Sequence, residues 1–185
     1  MRPLFTIHAG EYLVGLHVQK SLKLNAWIPA EDIGIDLLIT DSDNLRAVSL
    51  QVKYGKDFLP EKKAELRRSL RCLSWFNLTR AKLDTSQAEF WIFVLRGFES
   101  DASDFVVVPT AELQRRMTEL HGSHSGKLQS YFCSTKNNEC WEIRSRGLGD
   151  DIRKMKEAVR NNPLRDFTQY LNADGWATLM KKLKA

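Results

Sequence analysis

The stretch GIDLLITDSDNLRAVSLQVKYG, residues 34–55, decides the fold, because two apolar runs of β-strand character surround a turn-rich middle. Side chains on a strand alternate between the two faces of a sheet. In the first run this alternation separates Asp36 from the apolar residues Ile35 and Leu37. In the second run it separates Gln51 and Lys53 from their apolar neighbours. The sequence therefore predicts two strands, each with an apolar face and a polar position.

A turn centred on Asp43 and Asn44, both favourable turn residues, would pair the two runs as an antiparallel hairpin. In that register Asp36 lies opposite Gln51, and Lys53 follows on the same face. The other face gathers six apolar side chains, those of Ile35, Leu37, Ile39, Val48, Leu50 and Val52. We call Asp36, Gln51 and Lys53 the polar patch. A sheet with one solvated face would show the same alternation.

The flanking sequence predicts helices and strands in the order α, β, β, α, β, β, α, then a hairpin and helices. Apolar residues at helical spacing predict a first helix over residues 4–24 and a second helix after Pro60, with Leu66, Leu70, Leu73 and Phe76 on its apolar face. The uniformly apolar run at residues 89–96 predicts a strand inside a sheet that is covered on both faces. The expected fold is α/β, with a mixed central sheet flanked by helices and an added C-terminal hairpin and helices.

Length and composition predict one compact unit, with an α/β domain at residues 1–149 and a helical extension at residues 150–185 packed on it. No apolar run reaches the roughly 20 residues that span a bilayer, so we expect a cytoplasmic protein that does not bind membranes. The cysteines Cys72, Cys133 and Cys140 are scattered and lack CxxC spacing, which argues against a disulfide framework or a thiolate zinc site. A net charge of +5 permits a polyanionic partner.

Glu11 adds a carboxylate to the apolar stripe of the first helix, in register with Val14 and Val18. A charge at such a position needs a partner or a cation. Pairing with His8 or Lys20 at the helix rim is one explanation. The other is a hard divalent cation shared with Asp36, since Mg²⁺ takes oxygen ligands and commonly uses one or two carboxylates.

Glu11 in GEYLV, Asp36 in GIDLLI, and Gln51 with Lys53 in LQVKYG resemble the PD-(D/E)xK phosphodiesterase superfamily, which includes restriction endonucleases and Holliday-junction resolvases. The resemblance covers about residues 9–98 and implies an αββαβ nuclease core. It also implies that Glu11, Asp36 and the main-chain carbonyl of Val52 bind Mg²⁺, with Mn²⁺ as a possible substitute, and that Gln51 and Lys53 complete the catalytic set. Two positions depart from the pattern. Ile35 stands where the pattern's name has Pro, and Gln51 stands where Asp or Glu is usual, as in the QxK variant of some members, which removes one charge from the metal site.

The expected function is a metal-dependent DNA endonuclease. The alternative is a catalytically silent binding protein on the same fold, such as an immunity or regulatory factor that contacts protein or nucleic acid. Basic side chains near the site would contact phosphates, or they are ordinary solvated charges; they are Lys56, Lys62, Lys63, Arg67, Arg68 and Arg71. The C-terminal helices would extend that surface, dock on a partner or form a homodimer.

Overall fold

A computed structural model describes residues 4–30, 34–57, 64–97, 103–123, 126–144 and 151–184. The described α-helices are α1 (Leu4–His17), α2 (Ala64–Ser69), α3 (Arg80–Asp84), α4 (Thr110–His121), α5 (Ile152–Asn161) and α6 (Asn172–Lys184). A π-helical turn, Val18–Leu22, extends α1, and short 3₁₀ turns at Pro163–Arg165 and Thr168–Tyr170 join α5 to α6. The described strands are β1 (Asn25–Trp27), β2 (Leu37–Thr40), β3 (Ala47–Tyr54), β4 (Lys56–Asp57), β5 (Leu70–Thr79), β6 (Phe90–Arg96), β7 (Ser103–Pro109), β8 (Lys127–Thr135) and β9 (Cys140–Glu142).

The strands form a five-stranded sheet in the order β1-β2-β3-β6-β7 and a four-stranded sheet in the order β4-β5-β8-β9. In the first sheet β3 and β6 run parallel, and the other neighbours are antiparallel. The pairing of Leu37 with Leu50 and of Ile39 with Val48 confirms the predicted hairpin register. The predicted α/β fold, with a mixed central sheet flanked by helices, is also confirmed.

The two faces of the first sheet are covered differently. One face packs against α1 and α6, and its core joins Val14, Val18 and Trp176 to five apolar side chains of the hairpin, those of Leu37, Ile39, Val48, Leu50 and Val52. The opposite face packs against the second sheet and α4, through Phe93, Phe132 and other buried side chains. Because both faces are covered, β6 is buried from Phe90 to Leu95, which confirms the prediction of an interior strand.

The predicted second helix is wrong beyond Ser69, where the chain becomes strand β5. Strand β5 pairs with β8 along most of its length. Phe76 and Leu78 are buried while Asn77 and Thr79 are exposed, which is the two-residue period of a strand. The helical spacing of four apolar residues across 66–76 was therefore coincidental after Leu66, and pairing with a strand about 50 residues later in the chain decided the conformation.

Gly55 is the point at which the chain leaves the first sheet for the second. Its amide donates to the Val94 carbonyl at 3.1 Å, and the next residue, Lys56, pairs with Trp75 of β5. A Cβ built at Gly55 would lie 2.6 Å from both Phe76 Cζ and Ser74 Cβ. Only a glycine therefore fits between the sheets at this crossing.

We expect Gly55→Ala to lower the free energy of unfolding by about 1–3 kcal/mol, because overpacking forces buried neighbours to move. Gly15→Ala is the matched control, since its Cβ would approach nothing closer than Ala26 Cβ at 3.8 Å. Within a helix that change should be neutral or stabilising by up to about 1 kcal/mol. Denaturant unfolding measures both variants, and equal effects would contradict the proposed crowding at Gly55.

Candidate active site at the end of the hairpin

Asp36 lies where the first hairpin strand begins, and its side chain continues the pairing with β3. Its backbone amide donates to the Leu50 carbonyl at 2.8 Å. Its Oδ2 accepts from the Val52 amide at 2.6 Å and from the Gln51 side-chain amide. The carboxylate thus occupies the place of a main-chain acceptor at the end of the β2–β3 ladder. Asp36 and Gln51 are together, as the register predicts.

Gln51 is a buried polar residue, with 7% of its surface exposed. A buried amide is costly without hydrogen-bond partners. The contact with Asp36 supplies a charged acceptor, and hydrogen bonds to charged groups are stronger than neutral ones. In the described conformation the Gln51 amide therefore donates one of the hydrogen bonds that the Asp36 carboxylate needs, and it adds no second negative charge.

Lys53 is half-buried on the same face as Gln51, two residues further along β3. Its Nζ lies 5.4 Å from the ring centroid of Trp91, within the range of a cation–π contact. Trp91 belongs to β6 and pairs with Gln51 across the parallel ladder. The indole therefore lies under the polar patch. Trp91 was not predicted as a site residue, although it belongs to the predicted interior strand.

The Val52 main chain faces the β2 side of the hairpin, because its amide donates to the Asp36 carboxylate. The N–H and C=O groups of one residue in a strand point to the same side. The Val52 carbonyl consequently faces the same edge as Asp36. This orientation agrees with the role that the resemblance implies for that oxygen.

Glu11 approaches from the other side of the sheet. A Cβ built at the preceding residue, Gly10, would lie 2.9 Å from Tyr54 Cβ and 3.3 Å from Val52 Cγ1. Helix α1 therefore crosses the Val52 and Tyr54 face, whereas Asp36 belongs with the opposite face. Glu11 itself is half-buried. The two carboxylates would meet only around the end of the hairpin, and their shared cation stays a prediction.

The oxygen atoms at this edge suit a hard cation in kind, since carboxylates and a carbonyl are the ligands that Mg²⁺ takes from proteins. Within the part of the chain that the structure describes, no three side chains of His, Cys, Asp or Glu form a metal-binding group. The predicted metal ligands include only two carboxylates, those of Glu11 and Asp36, and the third ligand is the main-chain carbonyl of Val52. A cation held by Asp36 would share that carboxylate with the Gln51 and Val52 donors.

The predicted phosphate-binding residues divide into three groups. Arg67 and Arg68 are exposed on α2, as expected. Arg71 is not on a helix: it lies in β5, where its Nε donates to Asp104 at 3.0 Å and its guanidinium donates to Asn138 at 2.6 Å. The contact with Asp104 in β7 connects the two sheets, so the helical placement of Arg71 is wrong, and its phosphate contact stays a prediction. Lys62 and Lys63 lie outside the described residues, as does the side chain of Lys56.

No family model, curated protein or solved structure matches this chain. Among the helices of the described segments, none has the length and apolar character needed to cross a bilayer.

Gln51→Glu tests the contact with Asp36, because it replaces a donor by a second carboxylate. At neutral pH and without divalent cations we expect a loss of about 1.5–3 kcal/mol in the free energy of unfolding, the value of a hydrogen bond to a charged group. Two adjacent carboxylates favour uptake of a proton in the folded state. Stability of the variant should therefore rise relative to the parent as pH falls.

Gln51→Met is the control, since it removes the amide and adds no charge. Because no second carboxylate is present, its loss of stability relative to the parent should shrink much less on acidification than that of Gln51→Glu. Thermal or denaturant unfolding from pH 4 to pH 8 measures both variants. A pH-independent loss in Gln51→Glu would contradict the contact between the two side chains.

Proposed function

We propose that this protein is a metal-dependent DNA endonuclease that hydrolyses phosphodiester bonds. The observation that carries the proposal is the juxtaposition of Asp36 and Gln51 at the end of β2 and β3, with Lys53 on the same face. After the β2–β3 hairpin, a crossover connection brings the chain back as β6, which runs parallel to β3. Two hairpin strands followed by a crossover and a parallel strand is the order that the resemblance to PD-(D/E)xK nucleases implies.

Each residue of the set has a distinct role in the proposal. Asp36, Glu11 and the Val52 carbonyl would hold Mg²⁺ or Mn²⁺, and the bound cation would supply charge stabilisation and a water of lowered pKa. Lys53 would orient the attacking water or stabilise negative charge on the phosphate oxygens. Its ammonium is held over Trp91, which limits its motion before substrate arrives. Gln51 would position Asp36 rather than contribute charge.

A second candidate function is a catalytically silent binding protein. The observation in its favour is that the Gln51 amide already satisfies the Asp36 carboxylate, so the patch is stable without a cation. The two functions differ in metal binding. Because a ligand that binds only the folded state stabilises it by about 2.7 kcal/mol at one hundred times its Kd, Mg²⁺ or Mn²⁺ should raise the melting temperature of an enzyme and leave that of a silent protein unchanged.

The direct test is cleavage of supercoiled, linear and branched DNA in the presence of Mg²⁺ or Mn²⁺. Asp36→Asn is a better probe than Asp36→Ala, because the structure shows that alanine would leave the Val52 amide and the Gln51 side chain without their acceptor. Loss of cleavage in Asp36→Asn and Glu11→Gln, with retained folding, supports the enzyme. No cleavage by the parent protein and no stabilisation by either metal would overturn it.

Lys53→Met separates catalysis from binding. It removes the charge and keeps the volume of the stem, so the cleavage rate should fall by roughly 10² or more, as when a single charge-stabilising donor is lost. DNA affinity should fall only as far as one lost phosphate contact requires. Single-turnover rates at saturating DNA measure the first effect, and fluorescence anisotropy measures the second.

The matched variant changes Arg67 and Arg68 to Ala on the exposed face of α2. It should weaken binding and lower its salt dependence by roughly 0.9 in the logarithmic slope for each lost contact, with a near-normal rate at saturating DNA. Equal, modest losses of binding in the two variants, without a loss of rate in Lys53→Met, would remove Lys53 from the catalytic set.

A further inference from the structure

Trp27 is an exposed aromatic residue on the same sheet face as the polar patch. It pairs with Leu38. Leu38 and Asp36 are two residues apart, so their side chains lie on the same face of the sheet. The neighbouring Ala26 packs on the other side, against the core under α1. Trp27 nevertheless keeps 52% of its surface exposed, and the second sheet does not cover it.

The exposed indole is fixed in place by hydrogen bonds. Its Nε1 donates to Thr40 Oγ1 at 3.1 Å, and that hydroxyl donates to Asn44 Oδ1 at 2.6 Å. Asn25, at the start of the same strand, donates to the same Asn44 oxygen at 3.0 Å. An aromatic ring that is half-exposed and already ordered loses little conformational entropy when a flat group stacks on it.

The position of Trp27 relative to the patch follows from sheet geometry. Adjacent strands lie about 4.8 Å apart and each residue advances about 3.4 Å. Asp36 is one strand and two residues away from Trp27, and Gln51 is two strands and two residues away. The Cα separations are therefore about 8 and about 12 Å. About two to four nucleotides span these distances at the duplex spacing of about 3.4 Å, and fewer span them in an extended single strand.

Positive charge also lies at the turn end of the hairpin, on the other face of the sheet. Arg46, in the hairpin turn, donates through its guanidinium to the main-chain carbonyl of Lys184, so the last turn of α6 lies beside that turn. Lys181 and Lys182 belong to the same last turn, although Lys182 Nζ is 3.5 Å from a Glu89 carboxylate oxygen. This basic end belongs to the α6 side of the sheet, whereas on the face of Trp27 positive charge comes from Lys53 of the polar patch.

We propose that Trp27 stacks on an unpaired base of a DNA strand that passes over this face of the sheet towards the polar patch. The preferred substrate class is then DNA with unpaired bases, as in a single strand or a bubble, because bases inside an uninterrupted duplex offer no free face to the indole. This inference rests on the proposed function for its substrate, and it names the class of DNA that the site takes.

The test measures binding without divalent cations, so that it does not depend on cleavage. The probes are one fluorescein-labelled sequence as a single strand, as a perfect duplex and as a duplex with a central unpaired bubble. Trp27→Ala should weaken binding to the single strand and the bubble by about tenfold or more, the value of a stacked base. Trp27→Phe should stay within about threefold of the parent, since phenylalanine keeps a stacking face.

Two controls separate stacking from loss of apolar surface or of structure. Ile28→Ala removes a neighbouring apolar side chain that is 71% exposed, and it should leave all three affinities unchanged. Thr40→Val removes the acceptor of the indole N–H but keeps the ring, so it reports the contribution of the fixed orientation. Thermal unfolding of each variant shows that affinities are compared between folded proteins.

The outcomes distinguish this inference from the proposed function. A selective loss in Trp27→Ala, together with no cleavage by the parent under any divalent cation, would support the stacking site and overturn the nuclease. Cleavage by the parent with equal losses on duplex and single strand, or with equal losses in Trp27→Ala and Ile28→Ala, would overturn the stacking site. A change from dimer to monomer in Trp27→Ala, with unchanged DNA affinity, would assign the indole to a second copy of the chain and also overturn it.

Discussion

The carboxylate of Asp36 holds the end of the β2–β3 hairpin by accepting from the Val52 amide and the Gln51 side chain. This contact fixes the register in which one hairpin face is entirely apolar, and that face carries α1 and α6. It also leaves Gln51 and Lys53 on the face that meets β6 through Trp91. A slip of one residue would reverse both faces, so the core and the polar patch depend on the same hydrogen bonds.

The fold could be predicted where a pattern and its partner lie close in the sequence. The hairpin at residues 34–55 carries both of its strands and its turn, and its register was confirmed. Strand β5 could not be predicted in this way, because its partner β8 lies about 50 residues later and its leucines coincide with helical spacing. The alternation of Phe76 and Leu78 with Asn77 and Thr79 was present, but it competed with a longer helical pattern that Leu66 had begun.

In the candidate site, too, contacts within the hairpin could be predicted and contacts between distant elements could not. Strand parity was sufficient to bring Asp36 to Gln51 and to place Lys53 on their face. It could not show that Arg71 connects the sheets through Asp104, because that contact joins two elements whose pairing was not predicted. It also could not show that α1 crosses the Val52 and Tyr54 face. Helical periodicity identifies the buried side of α1 at Val14 and Val18, but it contains no information about which face of the sheet receives that side.

Gln51 explains why one geometry is compatible with both an enzyme and a silent protein. A glutamate at this position would place two carboxylates together in a buried site, and the folded state would need a cation or a proton to offset their repulsion. The amide removes that requirement by donating to Asp36, so the fold is stable in the absence of metal. In a nuclease with this site, the cation would compete with the Gln51 amide for Asp36. It would also have one negatively charged ligand fewer than in a site with glutamate at position 51. In the proposed nuclease, water or the phosphate of a DNA strand positioned over the patch would supply the remaining oxygen ligands, and the phosphate would also carry the reacting bond. Substrate binding and metal binding would be coupled in such a site, since each provides part of what the other needs.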